Sequence, residues 1–151
     1  MKIFKRIIFS LIFVSFASAS LAETKMRITL QLPLKAHLGQ NLLVFKKELE
    51  SRSDIIVEIY DSAQLYKDKE VPQAVGSGAI EAGVASITRF AGTNPEVDVF
   101  YLPFLFDSEQ KVRKATQAGS EIRAILDPAI AKTGAVPLYY QAYGSAIMLS
   151  N

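Results

Sequence analysis

The sequence predicts an α/β fold, a layered sheet of parallel type, and three observations carry that reading. First, Lys25–Gln31 (KMRITLQ) alternates Met26, Ile28 and Leu30 with polar residues, the period of a half-buried strand. Second, the period then changes: Leu38, Leu42, Phe45 and Leu49 share one helical face, with Lys46, Lys47, Glu48 and Glu50 on the other. Third, the β-branched run Ile55–Tyr60 (IIVEIY) reads as a second strand after that helix. Strands separated by helices of this length pair in parallel through right-handed crossovers.

The remaining elements follow in order. The first helix ends near Ser53. Residues 61–70 (DSAQLYKDKE) form a turn into a second helix, with Asp68 as its N-cap and a stop at Gly76-Ser77-Gly78. Glu81–Ile87 (EAGVASI) is a third strand in which Gly83 permits close backbone packing. Two helices are expected over Ser108–Ala118 and Glu121–Lys132, the second closed by Gly134, then two short strands at Pro137–Tyr143 and Ala146–Asn151. Between the third strand and these helices lies VDVFYLPFLFDS (97–108), apolar, aromatic and centred on Pro103. It is too short to span a bilayer, and its proline opposes a helix. Large exposed apolar patches are rare, so the segment is read as interior packing, with Pro103 fixing its path across the sheet edge.

The amino terminus stands apart from the fold. Lys2, Lys5 and Arg6 precede the apolar run 7–16, and small residues follow to Ala22, the pattern of a signal peptide cleaved after residue 22. All three of those charges are basic, so residues 23–151 keep 14 Lys and Arg against 15 Asp and Glu. Such a balance, with no stripe of basic and aromatic residues, argues against nucleic acid as a partner. There is no cysteine, which excludes thiol chemistry, disulfides and a lipoprotein anchor. After cleavage no segment is left to enter a membrane.

The chain is poor in catalytic signals. The Gly-Ser-Gly at 76–78 follows a helix rather than a strand, and Glu81 occupies the place of a third glycine, so it is not a phosphate loop. His37 is the lone histidine and has no carboxylate beside it in sequence. Pairs such as Asp68/Glu70 and Glu96/Asp98 read as solvated carboxylates rather than an acid and base. No metal or cofactor is implied. In parallel sheets, ligands bind beyond the carboxyl ends of the strands. The segments that reach that place are Gln31–His37, Asp61–Asp68 and Ala85–Phe90, whose amides and hydroxyls suit a small polar anion. That describes a binding crevice rather than a reaction centre. A periplasmic α/β enzyme, or an interaction module docking through 97–106, are the alternatives.

Four pieces resemble a known family: MRITLQLPLKAHLGQN, IVEIYDSAQLYKDKE, VGSGAIEAGVASITRF and EVDVFYLPFLFDS, with LYYQAYGS fitting later. In this order they are similar to the solute-binding proteins of tripartite ATP-independent periplasmic (TRAP) transporters, the DctP type. The resemblance covers Met26–Asn151. It implies the first lobe of a periplasmic-binding-protein-like clamshell that captures an organic acid, such as a C4-dicarboxylate, for TRAP membrane permease subunits, without catalysis. It further implies that Gln31, Asp68, Ala85, Ser86 and Ile87 line the ligand crevice, while Arg89 is structural and pairs with a carboxylate. Two departures stand out. Ala146 lies near a position where many members carry arginine, and the arginine that clamps the substrate carboxylate belongs to a second lobe, which makes this an incomplete receptor. Binding by the chain alone is therefore expected to be weak, because bidentate arginine pairing is the strong part of carboxylate recognition.

Overall fold

The computed structural model describes residues 24–144; the expected signal peptide and the expected strand at Ala146–Asn151 lie outside them. Strand β1 (Thr24–Thr29) occupies the centre of a three-stranded parallel sheet of order β2-β1-β3. It pairs along its whole length with β2 (Ile55–Tyr60), from Thr24 opposite Ile55 to Thr29 opposite Tyr60. On its other side lies β3 (Ala82–Gly83), with Ile28 opposite Ala82 and Thr29 opposite Gly83.

The alternation in β1 assigns its two faces. Ile28 and Leu30 join Val57 of β2 and Leu38 and Leu42 of helix α1 (His37–Glu50) in one buried cluster. Met26, Phe45 and Leu49 pack around it. The opposite face is covered by the short helix α2 (Val71–Gly76), which begins with Pro72 in its first turn, where a missing N–H is harmless. Here Gly83 matters, because a Cβ would stand 2.5 Å from Val71 Cγ1 and 3.1 Å from Thr29 Cγ2. The layers are therefore helix, sheet, helix, as the spacing of the elements requires.

Beyond β3 come helices α3 (Glu109–Thr116) and α4 (Glu121–Ala131). Ser108 and Ser120 cap them, their hydroxyls accepting from the Lys111 and Arg123 amides. Helix α4 buries Leu126 and Ile130, and Gly134 follows at φ +88°, a conformation that favours glycine. Its carboxyl end presses on that of α2, because Gly134 would place a Cβ against the Gly76 carbonyl. Among the described residues no helix is long and apolar enough to cross a membrane.

Four expectations need correction. The third strand is only two residues long: after Gly83 the chain leaves the sheet and turns into a 3₁₀ segment at Ile87–Phe90, so Ser86 and Ile87 belong to a turn. Asp68 is not an N-cap. It opens a 3₁₀ turn, Asp68–Glu70, and Glu70 accepts from the Lys67 amide in its place.

The aromatic segment is not interior. Val97, in the 3₁₀ turn Pro95–Tyr101, is fully buried, but Tyr101, Leu102 and Leu105 are exposed and Phe104 is 92% exposed. With three residues per turn, Val97 and the half-buried Phe100 share the inward side, and the residues that follow the segment are left outside it. Pro103 is exposed in a turn that the Leu105 amide closes onto the Leu102 carbonyl, and it fixes no path over the sheet. Phe104 follows it at φ +64°, a position that usually takes glycine.

Pro137–Tyr143 is not a strand among the described residues either, since none of them pairs with it in a sheet. It lies between helices instead, Tyr139 beside Phe45 of α1 and Tyr140 donating to Asp127 of α4 at 2.8 Å. Burial and the Asp127 bond push the Tyr140 phenol above its ordinary range.

Candidate ligand site at the strand tips

Local hydrogen bonding knits the three strand ends together. Past Thr29 the chain continues through Leu30 and Gln31, and Leu30 donates its amide to the Tyr60 carbonyl at 2.9 Å. The loop after β2 turns back sharply, with Ser62 and Ala63 both at positive φ. That geometry lets Ala63 donate to the Leu30 carbonyl at 2.9 Å and Ser62 to the Leu32 carbonyl at 3.1 Å. Asp61 ties the same loops from its side chain, accepting from the Leu34 amide at 3.0 Å and from Gln64 at 3.1 Å. The strain of two left-handed residues is thus held by four bonds, two from the backbone and two to Asp61.

The third tip is fastened by Asp68. One carboxylate oxygen accepts from the Ser86 amide at 2.8 Å, and the other accepts from Arg89 Nε. Ser86 and Thr88 share a hydroxyl–hydroxyl bond of 3.0 Å. The Val84 amide bonds the Thr29 carbonyl at 2.9 Å, which carries the β1–β3 register forward and brings Gln31 and Ala85 to the same end of the sheet.

At this convergence sits an unmatched group. The Gln31 Nε2 atom is buried, yet it donates to no protein atom. A buried amide without a partner costs about 1–3 kcal/mol, so such a group in a folded chain calls for an acceptor. Gln31, Ala85, Ser86 and Ile87 therefore share one end of the sheet, all partly buried. Asp68 joins them from behind, with both oxygens occupied, and Arg89 spends its Nε on that carboxylate. Asp61 was legible in the sequence as the start of a strand-tip segment but not as the tie between loops; the signal was an aspartate directly after a strand, a residue type that bonds backbone nearby.

Other places offer less. His37 is exposed at the start of α1, near the Ala142 carbonyl at 3.4 Å. Among the described residues no group of three His, Cys, Asp or Glu could hold a metal ion. Two shallow hollows, about 330 Å³ beside Arg123 and Asp127 and about 400 Å³ beside Phe45 and Arg52, lie away from the strand tips.

Residues 30–151 match the family model of bacterial extracellular solute-binding proteins, family 7, the DctP family. The chain belongs to that family. It is 34% identical over 96 residues to the C4-dicarboxylate-binding periplasmic protein DctP of Rhodobacter capsulatus, covering 63% of this chain and 28% of the relative. Among solved structures it resembles DctP6, a Bordetella pertussis extracytoplasmic solute receptor binding pyroglutamic acid. That match has a TM-score of 0.63 and 27% identity, over 74% of this chain and 36% of the other. It also resembles a TRAP periplasmic solute-binding protein from Pseudomonas aeruginosa with bound L-malate. There the TM-score is 0.67 and the identity 25%, over 77% of this chain and 40% of the other. The family-7 fold of the described residues is thus that of a clamshell lobe, and the chain spans between a quarter and two fifths of the length of these relatives.

Proposed function

We propose that this chain serves as the substrate-binding component of a TRAP transporter, with an organic acid such as a C4-dicarboxylate as its ligand. The observation that carries the reading is the buried, unpartnered Gln31 amide at the meeting point of three strand tips. The related proteins bind C4-dicarboxylates, pyroglutamic acid and L-malate, all small carboxylic acids whose oxygens would accept from such a donor.

In this scheme Gln31 donates to a ligand oxygen, and Ala85, Ser86 and Ile87 shape the wall beside it. Asp68 and Arg89 act one step back, their mutual pairing holding the Ser86 turn in place. No bond is made or broken; the acid is captured and passed to permease subunits in the membrane. Residues 1–22 act as the signal peptide that delivers the chain to the periplasm. The lobe supplies one wall, and a second lobe bearing an arginine would complete the clamshell.

Calorimetric titration with succinate, malate and pyroglutamate tests the reading. A single wall without an arginine clamp should bind at about 1 mM or weaker, near 4 kcal/mol, and should prefer the acid over its uncharged diamide. Micromolar affinity, or equal affinity for acid and amide, would contradict it.

A further inference from the structure

The two edges of the sheet are finished differently. Tyr60 directs its carbonyl toward β1, so alternation turns the backbone groups of Ile55, Val57 and Ile59 toward the outer edge of β2. An open row of this kind is a template for another extended chain. Side chains occupy half of it, at Val57 and Ile55. Glu50 Oε1 accepts the Val57 amide at 2.9 Å, and Lys46 Nζ donates to the Val57 carbonyl. Lys46 and Glu50 pair with each other at 3.2 Å, one helical turn apart on α1. Next along, the Ile55 amide donates to Ser53 Oγ at 3.3 Å. The bond from the Val57 amide also holds the Glu50 carboxyl below its ordinary range. On the far side, β3 has no such cover among the described residues.

We infer that Lys46, Glu50 and Ser53 form a guard that closes the β2 edge against pairing with a strand of a second copy of this chain. Geometry, rather than charge alone, does the closing: an acceptor faces the N–H and a donor faces the carbonyl, as an incoming strand would present them.

That feature gives a sharp test. The double variant Lys46→Glu/Glu50→Lys keeps an ion pair at the same spacing, in the orientation that suits a helix better. It also sets a donor against the Val57 amide and an acceptor against the Val57 carbonyl, so the guard is lost while the pair remains. Two measurements on the full chain decide the matter: exchange of the Val57 amide followed by NMR, and molar mass by light scattering across a concentration series. Relative to the parent chain, the variant should exchange Val57 about tenfold faster when dilute. On concentrating, its mass should rise while the Val57 amide regains protection. Glu50→Gln, which keeps the acceptor, should behave like the parent. Mass and Val57 exchange unchanged from the parent would overturn the inference. So would faster exchange without any gain in mass, or a gain in mass that leaves Val57 unprotected. Should the double variant lose the native circular dichroism spectrum, Glu50→Ala carries the same comparison.

Discussion

Single side chains do more here to fasten loops than to build core. Arg27 shows this on the α2 face of the sheet, donating to both oxygens of Glu81 at 2.7 and 2.8 Å and to the Ala79 carbonyl at 3.1 Å. Glu81 takes the Arg27 amide as well, so one carboxylate fixes the entry to β3. The Arg27 side chain, then its backbone amide, lower the Glu81 carboxyl from an ordinary 4.5 to about 2. Because the folded value is the lower one, the contribution is complete above pH 4.5 and is lost as pH falls toward 2. Glu81→Gln should therefore melt a few degrees lower than the parent at neutral pH, a small effect because the pair is partly solvated. Thermal melts across the acid range should show the two proteins converging as pH approaches 2. A gap that stays constant across that range would contradict the linkage.

At the scale of elements, close approach decides what can be substituted. Gly83 lies where α2 meets the sheet, and a methyl group would press on Val71 and Thr29, both buried. Gly83→Ala should destabilise the chain by about 1–3 kcal/mol, measured by urea denaturation, because overpacking forces side chains from their rotamers. No loss would mean that α2 rides more loosely on the sheet than its contacts suggest. This glycine was legible in the sequence, since a glycine inside a strand pattern signals close packing. So were β1, α1, β2 and the helices α3 and α4, whose patterns are local signals; the serine caps of the last two were not read. Expectations failed where local pattern met missing neighbours. A strand needs an adjacent edge, and among the described residues Pro137–Tyr143 has none, so it lies on α1 and α4 instead. Aromatic density predicts burial only if something covers it, and the 3₁₀ turn at Pro95–Tyr101 fully buries Val97 alone. The Asp68 role was hidden for a related reason: a carboxylate at a helix start looks like a cap until a partner eighteen residues away is known.

At the scale of the whole chain, the described residues form a lobe whose two sheet edges differ. Its β2 edge is covered by α1, and its strand tips are tied by Asp61 and Asp68 into a fixed frame. Exposed Tyr101, Leu102, Phe104 and Leu105 lie on the segment that the sequence marked for burial, and Val136, Leu138 and Tyr143 are exposed near the end of the described chain. Such apolar surface is unusual for a finished globule and usual for one face of a larger assembly. It agrees with a chain that covers 36–40% of the receptors it resembles. Of the candidate site, the placement at the strand ends could be read from the parallel order of elements. The orphaned Gln31 amide could not, because pairing of a side-chain amide depends on every loop around it.

Residue-resolved NMR titration of the chain with succinate tests the central claim most directly. Millimolar acid should shift the Gln31 side-chain amide and the backbone amides of residues 85–88 together, along one binding curve, with Gln31→Leu abolishing the response. Shifts that gather instead around Arg123 and Asp127, or a Gln31 amide that stays fixed while acid binds elsewhere, would contradict the account.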